Sequence, residues 1–249
     1  MFKATPFEFR FRYLIHVVIF VLGFMAPWSR LWHTEYHRTW EAFATVPYQQ
    51  GWMSMYASTI TMTAVGLFFL VAAAWLRTWG TAYIGVEVVN SAGMHGSAVV
   101  ADGPYRHVRN PLYLGTWLHT LTLALMMEPL GAIFTVVAMA LLQLRLILSE
   151  EPFLTAKLGP AYTEYCAHVP RLLPSPRAKV PASGRKPRIG YAVLGETYFI
   201  GVAASYAVLF AWKGTMLFPE HLLLLSQCIL GSLGVSLIGD AFIKRPVAG

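Results

Sequence analysis

Three short polar segments interrupt an otherwise apolar chain, and their side chains could bind a charged small molecule. The first segment, 99–115, contains a turn signal at 102–104 and then Arg109. Asn110 and Pro111 follow at the start of an apolar run, and these residue types favour the N-cap and the first position of a helix. A helix that begins here presents free N–H groups and a positive dipole end, which can bind a carboxylate or a phosphate. Arginines that hold lipid phosphates at the membrane surface are the simpler alternative.

The second polar segment follows a long apolar run and contains Arg145, Ser149, Glu150 and Glu151. Two adjacent carboxylates at a membrane boundary are costly unless they have partners. The two glutamates project about 100° apart on a helix, so only one of them need point inward. A cationic group of a small molecule would be a suitable partner, and a charged helix end is the alternative. The third segment, 158–174, has tyrosines at helical spacing, and an amphipathic segment at the membrane surface is its simpler interpretation.

The composition indicates which elements must position these segments. Of the 249 residues, 56% are apolar and only 12% are charged, whereas a typical soluble domain carries about 25% charged residues. An ordinary soluble enzyme and a nucleic-acid-binding domain are therefore disfavoured, and the net charge of +7 is attributed to cytoplasmic loops. The two cysteines, Cys166 and Cys228, lack metal-ligand spacing, so we expect no metal site.

Apolar runs predict an all-α, polytopic transmembrane helix bundle of about six spans, with polar groups at its cytoplasmic helix ends and loops. A span needs about 20 mostly apolar residues. With the N-terminus inside, 15 of the 19 lysines and arginines fall on the cytoplasmic side and three on the other, which supports this count. We expect an integral protein of the inner or plasma membrane with both termini cytoplasmic. The predicted spans are 13–29, 42–76, 111–127, 130–148, 192–212 and 222–243.

The same patterns predict three parts of the chain. Residues 1–176 would form a transmembrane core, 177–190 a basic cytoplasmic linker that is rich in proline, lysine and arginine, and 191–249 a two-helix appendix. The sequence leaves the oligomeric state open.

Taken together, the three polar segments resemble the isoprenylcysteine carboxyl methyltransferases and phospholipid methyltransferases. RNPLYLG at 109–115 looks like the RHPxYxG signature, and SEEPFL at 149–154 looks like the EExxL element. The run from Gly159 to Pro174 looks like the G..Y..Y...V.R..P tail. The resemblance covers about residues 57–176, and Asn110 stands where the signature has histidine.

The resemblance implies an S-adenosylmethionine site in which each polar segment has a role. The ammonium would meet Glu150 or Glu151, and the carboxylate would meet the helix start near Asn110, helped by Arg109 and Tyr113. Gly103 and Gly115 would leave room for close approach. The segment from Tyr165 to Leu173 would fold over the adenosine, and Tyr105 would be a further cofactor contact.

The resemblance also implies methyl transfer to a lipophilic or small membrane-soluble acceptor. A prenylcysteine-like carboxylate is favoured, while phospholipid amine, thiol and quinone-like acceptors stay open. Arg145 could hold an anionic acceptor, and with Glu150 it forms the predicted catalytic pair. Two other functions remain alternatives: an NADPH-dependent reductase similar to sterol reductases, and a transporter.

Overall fold

The computed structural model describes residues 3–33, 37–91, 93–94, 98–214 and 219–243. The regular secondary structure of these residues consists of helices, joined by loops, and includes no strands. The predicted all-α class is therefore confirmed. The helices are α1 (Pro6–Arg10), α2 (Arg12–Met25), α3 (Trp28–Trp32), α4 (Thr39–Gln49), α5 (Met55–Ile84), α6 (Val86–Val89), the 3-10 turn η1 (Gly103–Arg106), α7 (Pro111–Leu125), α8 (Pro129–Leu158), α9 (Pro160–His168), α10 (Ile189–Gly195), α11 (Thr197–Lys213) and α12 (Pro219–Ile243).

Two long apolar helices identify an integral membrane protein, but the predicted count of six spans is not confirmed. α5 and α8 have 30 residues each and are long and apolar enough to cross a bilayer. α10 and α11 are bent by 74° and count as a third span only when taken together. α2 and α7, with 14 and 15 residues, reach only about 21–23 Å, which is less than the roughly 30 Å of hydrocarbon. In the described part of the chain, length and composition thus support two or three spans.

The core forms where α5 packs against α7 and α11. Buried side chains from these helices and from α12 make one cluster, which includes Leu70, Leu123, Tyr206 and Leu225. Gly115 lets α7 approach α5 closely, because a Cβ atom there would lie 2.6 Å from the Arg77 Cγ. The helices beyond residue 191, predicted as an appendix, therefore share the core of the first part.

A buried ion pair connects α5 to the start of α11. The Arg77 Nε and the Glu196 Oε2 are 2.7 Å apart, and a second bond joins Arg77 Nη2 to Oε1 at 3.1 Å. Glu196 is only 1% exposed and also accepts a hydrogen bond from the Thr81 hydroxyl, while Arg77 donates to the Thr116 hydroxyl of α7. The predicted span 42–76 ends just before Arg77, whereas α5 continues to Ile84, so that Arg77 lies inside this helix. Its charge is neutralised there by a residue 119 positions away.

The basic segment after α9 is anchored to the loop before α7. The Arg109 N–H donates to the Pro170 carbonyl at 2.8 Å, and the Lys179 N–H donates to the Arg106 carbonyl at 2.9 Å. Farther along, Asp102 accepts hydrogen bonds from Ser183, Gly184 and Arg185. We call residues 170–185 the strap, since they run beside residues 102–109 and hold them. The predicted linker is thus in part this strap.

Removing one partner of the Arg77–Glu196 pair should destabilise the fold strongly. Glu196→Ala leaves the guanidinium buried without a carboxylate, which typically costs about 3–5 kcal/mol. Thermal unfolding in detergent, followed by circular dichroism, should show a midpoint lowered by roughly 10 °C. Glu87→Gln is the matched control, because Glu87 pairs with Arg188 at the exposed surface, where such pairs contribute about 0–1 kcal/mol. Equal midpoints for the two variants would contradict this account.

Candidate active site

A cavity of about 400 Å³ lies where α1 and α2 meet α5, the loop before α7 and the last turns of α8. This volume is within the usual range of small-molecule sites, about 300–1,000 Å³. Its polar lining includes Arg12, His16, Tyr105, Tyr113 and Glu150. The first and second polar segments of the sequence therefore meet at one cavity, together with two residues of α2.

Glu150 faces this cavity with a tyrosine as its neighbour. The side chain is partly buried, and Tyr113 is a neighbour that lines the same cavity. Among the described residues, no lysine or arginine nitrogen lies within 4.0 Å of its carboxylate. Glu150 is therefore an acidic group with room for a cationic ligand.

Glu151, in contrast, is neutralised by the protein itself. Its carboxylate contacts Arg171 at 2.7 Å and Arg109 at 3.2 Å, and it is only 8% exposed. The Arg171 Nε donates to both oxygens at 3.1 Å. We refer to Arg109, Glu151 and Arg171 as the arginine clamp. This clamp fixes the strap against α8 and the start of α7, and Glu151 lines the cavity beside Glu150.

Asn110 precedes α7 as predicted, but its side chain does not cap the helix. The amide nitrogen donates instead to the Arg171 carbonyl at 3.1 Å and lies 3.5 Å from a Glu151 oxygen. Asn110 thus occupies the N-cap position without a side-chain cap, because its amide is turned towards the arginine clamp. Pro111 does occupy the first turn of α7. Both Asn110 and Pro111 line the cavity.

The tyrosines of the third polar segment lie inside the protein. Tyr162 and Tyr165 of α9 are buried with Val169, and the Tyr165 hydroxyl donates to the Tyr105 carbonyl at 2.8 Å. Both tyrosines and Tyr105 line the cavity. The Tyr105 hydroxyl is buried without a hydrogen-bond partner. Burial also raises the pKa of the Tyr105 phenol well above its usual value, so the hydroxyl keeps its proton and can donate to a ligand.

Arg145 and Leu173 are not among the residues that line the cavity. The Arg145 guanidinium pairs with Glu8 of α1 at 2.8 Å, which explains why an arginine is placed on this face of α8. The hydrogen bond from Arg145 lowers the pKa of the Glu8 carboxyl to about 2. Leu173 is 83% exposed. The predicted roles of Arg145 towards an acceptor and of Leu173 towards a cofactor receive no support from this placement.

The two glycines of the predicted site serve protein packing. Gly103 has a φ of +54°, and a Cβ there would meet the Tyr83 ring and lie 2.9 Å from the Trp79 Nε1. Gly115 faces α5, as described above. Neither residue lines the cavity. Both glycines do allow close approach as predicted, but the groups that approach them are side chains of this protein and not a cofactor.

Sequence reasoning missed Arg12, His16 and Arg77, which all line the cavity. Arg12 and His16 lie four residues apart, and therefore on one face, in a helix that is otherwise mostly apolar. That spacing of two polar residues in an apolar run was the available signal. Arg77 gave no local signal, because its partner Glu196 is remote in sequence.

These features define a helical membrane protein with a cavity suited to a charged small molecule. Residues 61–161 match the family model of the phospholipid methyltransferases. This match confirms the family resemblance for that segment and indicates a membrane methyltransferase. The match includes most of α5, all of α7 and α8, and the start of α9, but not α2, Arg171 or α11. No curated protein and no solved structure matches the chain.

Loss of the central carboxylate of the arginine clamp should loosen the strap. Glu151→Gln removes the charge that holds Arg109 and Arg171, so trypsin should cleave at the basic residues between 171 and 186 faster than in the wild type. Limited proteolysis in detergent with mass spectrometry measures this. Glu164→Gln, on the exposed side of α9, should cleave at the wild-type rate. Equal cleavage of both variants would show that the strap is held without Glu151, by its backbone bonds and by Asp102.

Proposed function

We propose that this protein transfers a methyl group from S-adenosylmethionine to a lipophilic acceptor in the membrane. The observation that carries the proposal is the Glu150 carboxylate, which faces the cavity without a basic partner among the described residues. A buried carboxylate in this state favours a ligand with a positive charge. S-adenosylmethionine carries an ammonium and a sulfonium, and the match to the phospholipid methyltransferase family supports the choice of this cofactor.

The residues of the cavity fit the parts of this cofactor. Glu150 would accept hydrogen bonds from the ammonium, and Tyr113 would orient the carboxylate of Glu150. The first N–H groups of α7 are not capped by Asn110, so they can receive the cofactor carboxylate. The unpartnered hydroxyl of Tyr105 would donate to a further polar atom. When bound, the cofactor supplies an electrophilic methyl group on sulfur.

The protein's own contribution to the reaction would be positioning and exclusion of water. Transfer of a methyl group in line needs the acceptor atom held close to the sulfonium, and such positioning can supply a large part of the rate. Tyr162 and Tyr165 close one side of the cavity with aromatic surface. The arginine clamp keeps α7, α8 and the strap in one arrangement around it.

The acceptor would arrive from the bilayer, because apolar side chains of the helices that surround the cavity are exposed. On α2 these include Leu14, Val17 and Val18, and on α5 they include Phe68. A prenylcysteine-like carboxylate and a phospholipid amine are the leading candidates, one for each branch of the family resemblance.

We also place both termini on the cytoplasmic side of an inner or plasma membrane, since the basic residues concentrate there.

Calorimetry with S-adenosylhomocysteine, the demethylated product, tests the cofactor site. The wild type should bind it, and Glu150→Gln should weaken binding about ten- to hundredfold, because a hydrogen bond to a charged group contributes roughly 1.5–3 kcal/mol. Glu8→Gln is the matched control, since Glu8 pairs with Arg145 away from the cavity. NADPH should not bind. Tight binding of NADPH, or Glu150→Gln affinity equal to that of the wild type, would contradict the proposal.

Transfer of a labelled methyl group to a lipid extract tests the acceptor. Purified protein with methyl-labelled S-adenosylmethionine should place the label in material that partitions into organic solvent. A carboxyl methyl ester would release its label as methanol in mild base, whereas an N-methyl group would not, so this treatment separates the two leading acceptors. Glu150→Gln should reduce the labelling. Label confined to water-soluble products would rule out a lipophilic acceptor.

A further inference from the structure

α2, which lies outside the residues that match the family, forms one wall of the cavity. Arg12 and His16 both line the cavity, and their spacing of four residues puts them on one face of this helix. Leu14, Val17 and Val18 on the same helix are exposed apolar side chains. The helix therefore presents apolar surface outward and two nitrogen-bearing side chains to the cavity.

Arg12 is a buried cation that the described residues do not pair with an acid. Its side chain is 7% exposed, and its guanidinium donates to the carbonyl oxygens of Phe9 at 2.9 Å and of Val89 and Ser91 at 2.7 Å. These bonds use three of the five N–H groups of an arginine. No carboxylate of the described residues lies within 4.0 Å of it. The guanidinium also lies over the rings of Phe9 and Tyr13, 4.7 Å from each ring centroid. An anion would stabilise further a buried charge whose partners are carbonyl dipoles and aromatic rings.

His16 offers a second polar group beside this cation. Its Nε2 is buried and has no hydrogen-bond partner, although buried polar atoms are nearly always partnered. Arg12 and Arg77 are its charged neighbours. The charge of Arg77 is matched by Glu196 at 2.7 Å, whereas Arg12 forms no ion pair among the described residues and interacts only at longer range with Glu150 of the same cavity.

We propose that Arg12 and His16 bind an anionic oxygen in the headgroup of the acceptor, either a phosphate diester or a carboxylate on a lipid chain. The oxygen would accept hydrogen bonds from the remaining N–H groups of Arg12 and from the His16 Nε2. This inference rests on the proposed function, because it places the acceptor in the same cavity as the cofactor. Glu150 supplies the opposite charge on α8, so the cationic cofactor groups and the anionic headgroup have separate places in one cavity.

Binding of matched amphiphiles tests this headgroup site without turnover. The full chain in non-ionic detergent, saturated with S-adenosylhomocysteine, is titrated by calorimetry with three ligands that share one dodecanoyl chain: lysophosphatidylglycerol, dodecanoate and the neutral monoglyceride. The wild type should bind at least one of the anionic ligands about tenfold more tightly than the neutral one. Preference for lysophosphatidylglycerol identifies a phosphate diester as the source of the oxygen, and preference for dodecanoate identifies a carboxylate.

Two variants separate the site from general effects of charge and folding. Arg12→Gln should lower the affinity for the preferred anion by about tenfold or more, since a hydrogen bond to a charged group is lost. His16→Leu should lower it severalfold while it leaves the three bonds of Arg12 in place. Arg10→Gln is the matched control, because Arg10 is exposed on α1 and does not line the cavity. Unchanged affinity for S-adenosylhomocysteine shows that each variant is folded.

The outcomes distinguish this inference from the proposed function. Equal binding of anionic and neutral ligands by the wild type overturns the headgroup site, and so does anion binding that survives both Arg12→Gln and His16→Leu. If Arg12→Gln no longer binds S-adenosylhomocysteine, His16→Leu is the deciding variant. Weaker anion binding by His16→Leu then supports the headgroup site, and unchanged anion binding overturns it. Failure of the wild type to bind S-adenosylhomocysteine at all would contradict the proposed function instead.

Discussion

A carboxylate inside an apolar helix bundle needs a basic or hydrogen-bonding partner, and the site depends on the difference between Glu150 and Glu151 in this respect. Glu151 takes both arginines that reach this end of α8, together with the amide of Asn110. Because Arg109 and Arg171 are engaged there, neither of them pairs with Glu150, whose carboxyl group lines the cavity. The protein thus uses one acid of the pair to hold its own segments and leaves the other for a ligand.

The same principle joins remote parts of the chain to the cavity. The arginine clamp brings the strap onto the start of α7, and the Arg77–Glu196 pair brings α11 onto α5. Both pairs are buried or partly buried, so losing one partner leaves an unbalanced charge in a medium that solvates it poorly. Helices outside the family match therefore contribute to a cavity whose motifs lie mostly inside it.

The sequence was sufficient to predict the helical class and the three polar segments, which do meet at one cavity. It was not sufficient to predict which side chains pair with one another around that cavity. The low content of charged residues and the apolar runs predict helices, and α7 and α8, which only residues 126–128 separate in the chain, pack against each other. The count of six spans is not confirmed, because α2 and α7 are short and because α10 and α11 are bent relative to each other at Glu196. Local pattern could not show that Asn110 turns from its helix towards Arg171, since that partner lies 61 residues away. Arg145 was likewise explained only by Glu8, which is distant in sequence.

The structure of the protein bound to S-adenosylhomocysteine is the measurement that tests the central claim most directly. The account predicts that the ligand occupies the cavity with its amino nitrogen within about 3 Å of a Glu150 carboxylate oxygen. The arginine clamp should remain closed, with Arg171 still on Glu151. A ligand bound outside this cavity would contradict the account, and so would an amino group held by Glu151 with the clamp opened.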